Sequence, residues 1–269
     1  MTSQQATQHT AAREDTAQHD VTRQDTISEQ AKPSEAVQHH TERHAVPSEQ
    51  AKPCEAAQQQ SALQHTTLND FSCALASSAP TPGGGGAAAL AGALGSNLVE
   101  MVGNLTTGKK KYAAFEDELQ RIIATAKDLS QKLRLAIDED AAAFAPLAKA
   151  YGIPKDNPTR AETLEAALRA ACKPPMHIIE LALRALNLHE RMALIGSRLV
   201  ISDCGAGAVL CNAAVNAAAF SVFANTKLMA DEAYALHVQE TTQRTVVEAH
   251  DKTQRICAMV TRYLIREGR

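Results

Sequence analysis

Two stretches built almost entirely of glycine and alanine restrict the fold of this chain more than any other feature. They read "GGGGAAALAGALGS" over residues 83–96 and "CGAGAVLCNAAVNAAAF" over residues 204–220. In the first stretch Ala88, Gly92 and Ser96 recur every four residues, so they share one helix face that another helix can approach closely. Aromatic residues make up only 3% of the chain. A core of small and aliphatic side chains favours helix packed on helix over sheets.

Long helices are predicted for most of the remaining chain after residue 66. Apolar residues spaced by three and four predict helices over 112–151, 159–172 and 176–196, with two more towards the C-terminus. Thr159 and Glu162 match a capping box, and Pro174 with Pro175 is expected to separate two helices. The expected fold is therefore all-α, a bundle of long antiparallel helices with small-residue packing.

The N-terminal part of the chain has a different composition. Residues 1–65 are rich in Gln, Thr, Ser and His, and "SEQAKPSEAVQ" at 28–38 returns as "SEQAKPCEAAQ" at 48–58. Burial of so few apolar residues cannot offset the conformational entropy that ordering this segment would cost. A disordered low-complexity tail is therefore predicted. Residues 66–269 are predicted to be the helical domain.

Composition and spacing argue against several classes of protein. The net charge is −3, which offers no basic surface for nucleic acid. The six cysteines are scattered without a metal-ligand spacing, so no metal site is predicted. Asn97, Glu100 and Asn104 interrupt the first small-residue helix, which favours a buried helix over a membrane span. No signal-peptide pattern opens the chain, so a cytoplasmic location is expected.

Asp140 is the strongest individual candidate for a catalytic residue. It continues the apolar stripe of the 112–151 helix and is followed on that stripe by Phe144 and Leu147. A carboxylate aimed at a core either pairs with a cation or donor or has a raised pKa. A structural ion pair and a catalytic acid–base role both fit this position.

The segment "GNLTTGKKK" at 103–111 has the glycine and lysine spacing of a phosphate loop but lacks its other parts. Lys110 stands where that loop needs Ser or Thr, and the preceding segment is helical. The lysines then either complement a helix C-terminus or bind a polyanionic ligand. Asp203 is placed as a helix-start residue, and Asn225 as an amide suited to a heterocycle edge or to neighbouring backbone.

Three segments together resemble one known family. They are "SSAPTPGGGGAAALAGALGSNLVEMVGNLTTGKKKY", "DEDAAAF" and "SDCGAGAVL", followed by Asn225. They are similar to the folate-acting cyclodeaminase and cyclohydrolase family, from about Thr67 to the C-terminus. Two positions depart from the family pattern, with Gly86 in place of a frequent Ser and Ser221 in place of a frequent Asn.

The resemblance implies a homodimer that binds a tetrahydrofolate derivative in a groove near the subunit interface, with no other cofactor. It implies either cyclisation of 5-formimino-tetrahydrofolate to 5,10-methenyl-tetrahydrofolate with release of ammonia, or interconversion of the methenyl and 10-formyl forms. A folate-binding protein without catalysis and a helical scaffold are the alternatives. The residues carried over are Asp140 and Asp203 as catalytic, and as substrate-binding Pro82, Gly83, Gly84, Gly85, Gly86, Lys109, Lys110, Lys111 and Asn225.

Overall fold

The computed structural model describes residues 62–265, which form α-helices and short 3-10 turns and contain no strand. The predicted all-α fold is confirmed. Most of the predicted tail lies outside the described residues. The helices are α1 (Leu68–Ala76), α2 (Gly84–Asn104), α3 (Glu116–Tyr151), α4 (Arg160–Ile195), α5 (Ile201–Thr226) and α6 (Glu232–Leu264).

Four of these helices form the centre of a bundle. Helices α2 and α4 each pack against both α3 and α5, so α3 and α5 lie on opposite sides. Helix α6 packs against α5 and α4. Because Gly92 faces Ala214 while Gly95 faces Gly207, α2 and α5 run antiparallel. The turn before α2 and the end of α5 therefore lie at the same end of the bundle.

The small-residue stripe of α2 packs as its spacing predicts. A Cβ on Gly92 would lie 3.1 Å from a Leu133 methyl group, and one on Gly95 would lie 3.0 Å from the Gly207 carbonyl oxygen. Both distances are shorter than ordinary contacts between side chains. Glycine therefore lets α2 approach α3 and α5 at these two levels.

A buried histidine lies where α2, α4 and α5 meet. His189 of α4 is fully buried, and its Nε2 lies 2.9 Å from the Gly95 carbonyl oxygen. Nδ1 has no hydrogen-bond partner among the described residues. A Cβ on Gly207 would overlap the imidazole ring. Burial lowers the pKa of His189 to about 4, so the ring is neutral at physiological pH and Nε2 carries the hydrogen that it donates.

Two local predictions about α4 are wrong. Pro174 and Pro175 do not separate two helices but lie buried inside one helix that continues to Ile195. Thr159 makes no capping hydrogen bond with its side chain, and its hydroxyl donates instead to Asn157 Oδ1 at 2.9 Å. Buried prolines in a continuous helix mean that tertiary packing outweighs the loss of two backbone donors.

A short 3-10 turn precedes α1 and is held against α3. The turn covers Leu63–His65, and the Leu63 backbone N–H donates to Asp138 Oδ1 at 2.6 Å. Among the described residues, packing against the helical domain therefore begins at Leu63, a few residues before residue 66, where the change in composition suggested that the domain starts. Asp138 holds this turn, whereas Asp140, two residues later, points elsewhere on α3.

Helix α5 has one apolar face that the rest of the described chain leaves exposed. Val209 is 50% exposed and Phe220 is 71% exposed. Neighbouring α2 also exposes apolar side chains, including Leu94 and Met101. Residues Arg198–Thr226 are long and apolar enough to cross a membrane by length and composition, and an 18-residue window within them has a mean hydropathy of 1.6. In this fold α5 packs against α2, α4 and α6.

Candidate active site

A cleft of about 280 Å³ opens at the end of the bundle where α2 begins and α5 ends. The turn before α2 forms one side of it, and α3 and α5 form facing walls. Of the residues predicted from sequence, the cleft contains Gly83, Gly84, Gly85, Asp140 and Asn225. The fold therefore collects side chains from three separate parts of the sequence at one place.

The Asp140 carboxylate lies directly on the first turn of α2. A Cβ on Gly85 would overlap the carboxylate, whereas one on Gly84 would meet no atom within 4 Å. The Gly86 backbone N–H donates a hydrogen bond to Asp140. Only a residue without a side chain at position 85 lets a carboxylate reach the N–H groups at this helix N-terminus.

Asp140 titrates above the usual range for an aspartate. Burial raises its pKa, and the hydrogen bond from Gly86 partly opposes that rise. The side chain is only partly buried and opens into the cleft. The structure gives Asp140 no cation partner among the described residues, so the structural ion pair considered from sequence is not found. Burial therefore moves this carboxyl towards the range in which one group can both accept and return a proton.

The rest of the glycine turn supports this arrangement. Gly86 and Pro82 do not line the cleft but pack behind it, because a Cβ on Gly86 would lie 3.3 Å from the Pro82 Cβ. The Thr81–Pro82 peptide bond is cis. The four successive glycines therefore differ in position. Gly83 and Gly84 face the cleft, Gly85 lies beneath Asp140, and Gly86 packs against Pro82.

An aromatic and aliphatic wall continues from Asp140 along α3. Phe144, Leu147 and Tyr151 follow at steps of four, three and four residues, and all line the cleft. They share one helix face that extends over about 16 Å at 1.5 Å per residue. Phe144 was expected to resume the core, and Tyr151 was not predicted for the site at all. The sequence did contain a signal for these residues, because they continue the three- and four-residue spacing that starts at Asp140. A helix face with this spacing can line a cleft as well as a core.

The facing wall is polar and comes from the last two turns of α5. Ser221 and Asn225 lie one turn apart and both line the cleft. The Asn225 amide nitrogen donates to the Ala171 carbonyl oxygen of α4 at 3.2 Å. A flat ligand between α3 and α5 would therefore meet a ring-stacking surface on one side and hydrogen-bonding groups on the other.

The remaining predicted residues lie at the opposite end of the bundle. Lys109, Lys110 and Lys111 follow the C-terminus of α2 and are exposed, and Asp203 lies in the first turn of α5. Since α2 has 21 residues, these groups are roughly 30 Å from the cleft of the same chain. Lys109 Nζ donates to the Leu105 carbonyl oxygen, as expected for a lysine that complements a helix C-terminus. One chain does not bring them to Asp140.

The buried cysteines have the properties of core residues. Burial raises the pKa of both Cys204 and Cys211 to about 12. A thiol of that pKa stays protonated at neutral pH and is a weak nucleophile. Among the described residues that line the cleft, Asp140 is the one carboxyl group.

The fold and cleft define an all-α protein with a small-molecule site between helix ends. The model of the formiminotransferase-cyclodeaminase family matches residues 67–244. The chain belongs to this family, as its three motifs indicate.

Relatives of this chain include proteins with two different names. A methenyltetrahydrofolate cyclohydrolase of Methylorubrum extorquens is 38% identical over 71% of this chain and 93% of its own length. The formimidoyltransferase-cyclodeaminase of Sus scrofa is 32% identical over 72% of this chain, which spans only 36% of that longer protein. The crystal structure of a formiminotetrahydrofolate cyclodeaminase from Thermotoga maritima has a TM-score of 0.65 and 28% identity, covering 75% of this chain and 97% of that one.

Proposed function

We propose that this protein is a folate one-carbon enzyme that forms or opens the 5,10-methenyl bridge of tetrahydrofolate, with Asp140 as its proton-transfer group. The observation that carries the proposal is the Asp140 carboxyl seated on Gly85 at the open side of the cleft, with a pKa raised by burial. Family membership supplies the substrate class. The facing aromatic and polar walls suit a flat heterocycle.

Cyclodeamination would use Asp140 first as a base and then as an acid. The substrate nitrogen N10 attacks the protonated formimino carbon and gives its proton to the carboxylate. The carboxyl then protonates the amino group of the tetrahedral adduct. The carbon–nitrogen bond to that group breaks, ammonia leaves, and the methenyl cation remains. A nearby carboxylate also stabilises the positive charge that develops as ammonia leaves.

Hydrolysis of the methenyl cation would use the same group. Asp140 takes a proton from water as the oxygen adds to the bridge carbon. It then protonates N5 as the bond between N5 and that carbon breaks, and 10-formyl-tetrahydrofolate forms with release of one proton. The cyclohydrolase relative, which is matched over nearly its whole length, favours this reaction. The cyclodeaminase structure favours the first one. Neither route involves a metal or a further cofactor.

A homodimer would explain why the lysines lie far from the cleft of their own chain. A two-fold axis across the exposed face of α2 and α5 would place the lysine end of one chain beside the cleft end of the other. Exposed Leu94, Val209 and Phe220 provide apolar area on that face. The partner subunit's Lys109, Lys110 and Lys111 would then bind the glutamate carboxylates of the folate, and the partner subunit's Asp203 would approach with them.

Direct assay of both substrates tests the proposed reaction. The purified full-length chain is mixed with 5-formimino-tetrahydrofolate or with 5,10-methenyl-tetrahydrofolate, while methenyl absorbance and ammonia are recorded together. A cyclodeaminase raises both signals in equal amounts with the first substrate. A cyclohydrolase removes methenyl absorbance faster than the uncatalysed reaction with the second. Thermal stabilisation by tetrahydrofolate without turnover of either substrate would identify a binding protein instead.

Mixed dimers test whether the lysines act across the interface. Asp140→Asn chains and chains with all three lysines changed to Gln are each expected to be nearly inactive. Co-refolded, they form dimers in which one of the two sites has both an intact Asp140 and intact lysines. About a quarter of wild-type activity then returns, on the statistics of random pairing. Lysines that act within their own chain, or a monomer in solution, would give no recovery.

A further inference from the structure

The hydrogen bond of Asn225 determines which atom of its side chain faces the cleft. A carbonyl oxygen only accepts hydrogen bonds, so the Asn225 atom that lies 3.2 Å from the Ala171 oxygen is the amide nitrogen. The Cys172 side chain lies beside Ala171 on α4, where the Asn225 side chain lowers the pKa of its thiol against the larger effect of burial. No side-chain hydrogen bond within the described residues occupies the Asn225 oxygen. That oxygen is left as an acceptor in the cleft lining.

The Ala171 carbonyl is available because of a proline. In a regular helix it would accept from the backbone N–H four residues later, at position 175, and Pro175 has no such N–H. The proline ring also clashes with the carbonyl four residues earlier and turns it away from the helix axis. Pro174 has the same relation to Ala170, but the hydrogen bond from Asn225 goes to Ala171. One of the two prolines therefore creates the acceptor that Asn225 uses.

We infer that Pro175, acting through the Ala171 carbonyl, is a positioning residue that turns the Asn225 side-chain oxygen into the cleft, where it accepts a hydrogen bond from a ring or amino N–H of the substrate heterocycle. The inference rests on the proposed function for the identity of the ligand. Ser221 and Asn225 give the α5 wall its hydrogen-bonding groups, so an edge of the ring that points to α5 meets them there. At Asn225 that edge presents a donor, since the amide nitrogen donates to the Ala171 carbonyl oxygen and the side-chain oxygen is left for the ligand.

Two proline variants separate this role from a general effect on the helix. Pro175→Ala restores an N–H for Ala171, competes with Asn225 and frees the side chain to rotate. Pro174→Ala restores an N–H for Ala170 and serves as the matched control. Both substitutions restore a backbone N–H and remove a buried proline ring, so the two variants are expected to have similar stabilities. Melting temperatures verify that expectation.

Kinetics and side-chain amide spectra of the full chain provide the readout. Pro175→Ala is expected to raise KM about fivefold to tenfold, because one hydrogen bond to the substrate is lost. Its kcat is expected to stay within about twofold of wild type. Pro174→Ala is expected to keep the wild-type KM. Asn225→Leu should raise KM by a similar factor, and adding Pro175→Ala to it should raise KM no further. Without ligand, the ¹⁵N–¹H side-chain signal of Asn225 should shift in Pro175→Ala and stay in place in Pro174→Ala.

The results that overturn the inference differ from those that overturn the proposed function. With an active wild type, each of three results would refute the positioning role. They are equal KM values for the two proline variants, a KM of the Pro175→Ala and Asn225→Leu double variant that is the product of the two single effects, and an unshifted Asn225 signal in Pro175→Ala. A wild-type chain that neither binds tetrahydrofolate nor turns over either substrate would refute the proposed function, and with it the donor edge assigned to the ligand.

Discussion

Two glycines in this bundle lie beneath titratable side chains, and only one of the two pairs opens to solvent. Gly85 lies under the Asp140 carboxylate at the cleft, and Gly207 lies under the His189 ring in the sealed centre. Burial favours the neutral form in both, since it raises the pKa of Asp140 and lowers that of His189. The same packing device therefore places a carboxyl where a ligand can enter and holds helices together where none can.

The largest effect is expected at the sealed pair. Gly207→Ala places a methyl group inside the His189 ring, which is also hydrogen-bonded to Gly95 of α2. The free energy of unfolding should fall by about 3 kcal/mol, the upper end of the usual range for overpacked cores. Chemical denaturation measures it, with Gly205→Ala as control, because a Cβ there would meet the Val260 side chain, with its nearest methyl group at 3.2 Å, and would overlap no ring. Equal stabilities for the two variants would contradict the packing described for His189.

A pH dependence of stability should follow from His189. Its pKa is about 4 in the folded chain and 6.5 when exposed, so the unfolded state binds the proton first as pH falls. Its contribution to stability is therefore complete above pH 6.5 and is lost as pH falls towards 4, by about 3 kcal/mol in total. Denaturation curves between pH 7 and 4 measure this loss against His189→Gln, which lacks the titrating group. Parallel curves for the two proteins would refute a neutral buried ring.

A smaller effect, on activity rather than folding, is expected at the open pair. Gly85→Ala should push the Asp140 carboxyl out of place and lower kcat about 100-fold, since a displacement near 1 Å has that effect on catalysis. Gly84→Ala adds the same methyl group one residue earlier, where it points into open space, and should change KM more than kcat. Steady-state kinetics of both variants test this difference. The account of Gly85 fails if the two variants have the same kcat.

Much of the fold is predictable from local sequence patterns, whereas contacts between distant segments are not. The stripe of Ala88, Gly92 and Ser96 predicted close helix packing, and the structure confirms it. The prediction that Pro174 and Pro175 separate two helices was wrong, because a buried helix next to Asn225 tolerates the loss of their two backbone donors. The sequence does not indicate the packing role of His189, because that role depends on contacts with Gly95 and Gly207, which lie on other helices.

The candidate site is also only partly predictable. Asp140 stood out because it interrupts an apolar stripe, and it does lie in a cleft with a raised pKa. The separation of Lys109–Lys111 from it followed from the length of the helix between the glycines and the lysines. Motif similarity alone does not reveal that separation. Catalytic and binding roles for Asp140, Asp203, the lysines and Asn225 stay predictions.

Turnover by Asp140→Asn is the most direct test of the central claim that Asp140 transfers the proton. Asparagine keeps the size of the side chain and an oxygen that can accept from Gly86. It also removes a carboxyl whose raised pKa makes its ionised form costly, a cost that builds up as pH rises from the usual pKa of an aspartate to the raised one. The variant should therefore melt no lower than wild type at neutral pH and still bind tetrahydrofolate.

The measurement is kcat on whichever substrate wild type uses, with Asp138→Asn as the matched control. Asp138 is the neighbouring carboxylate that holds the Leu63 turn outside the cleft. The account predicts a kcat about 10² to 10⁴ times lower for Asp140→Asn, the usual range for loss of a general acid–base group, and a near-normal kcat for Asp138→Asn. A folded Asp140→Asn protein that turns over substrate within a few-fold of wild type would contradict it.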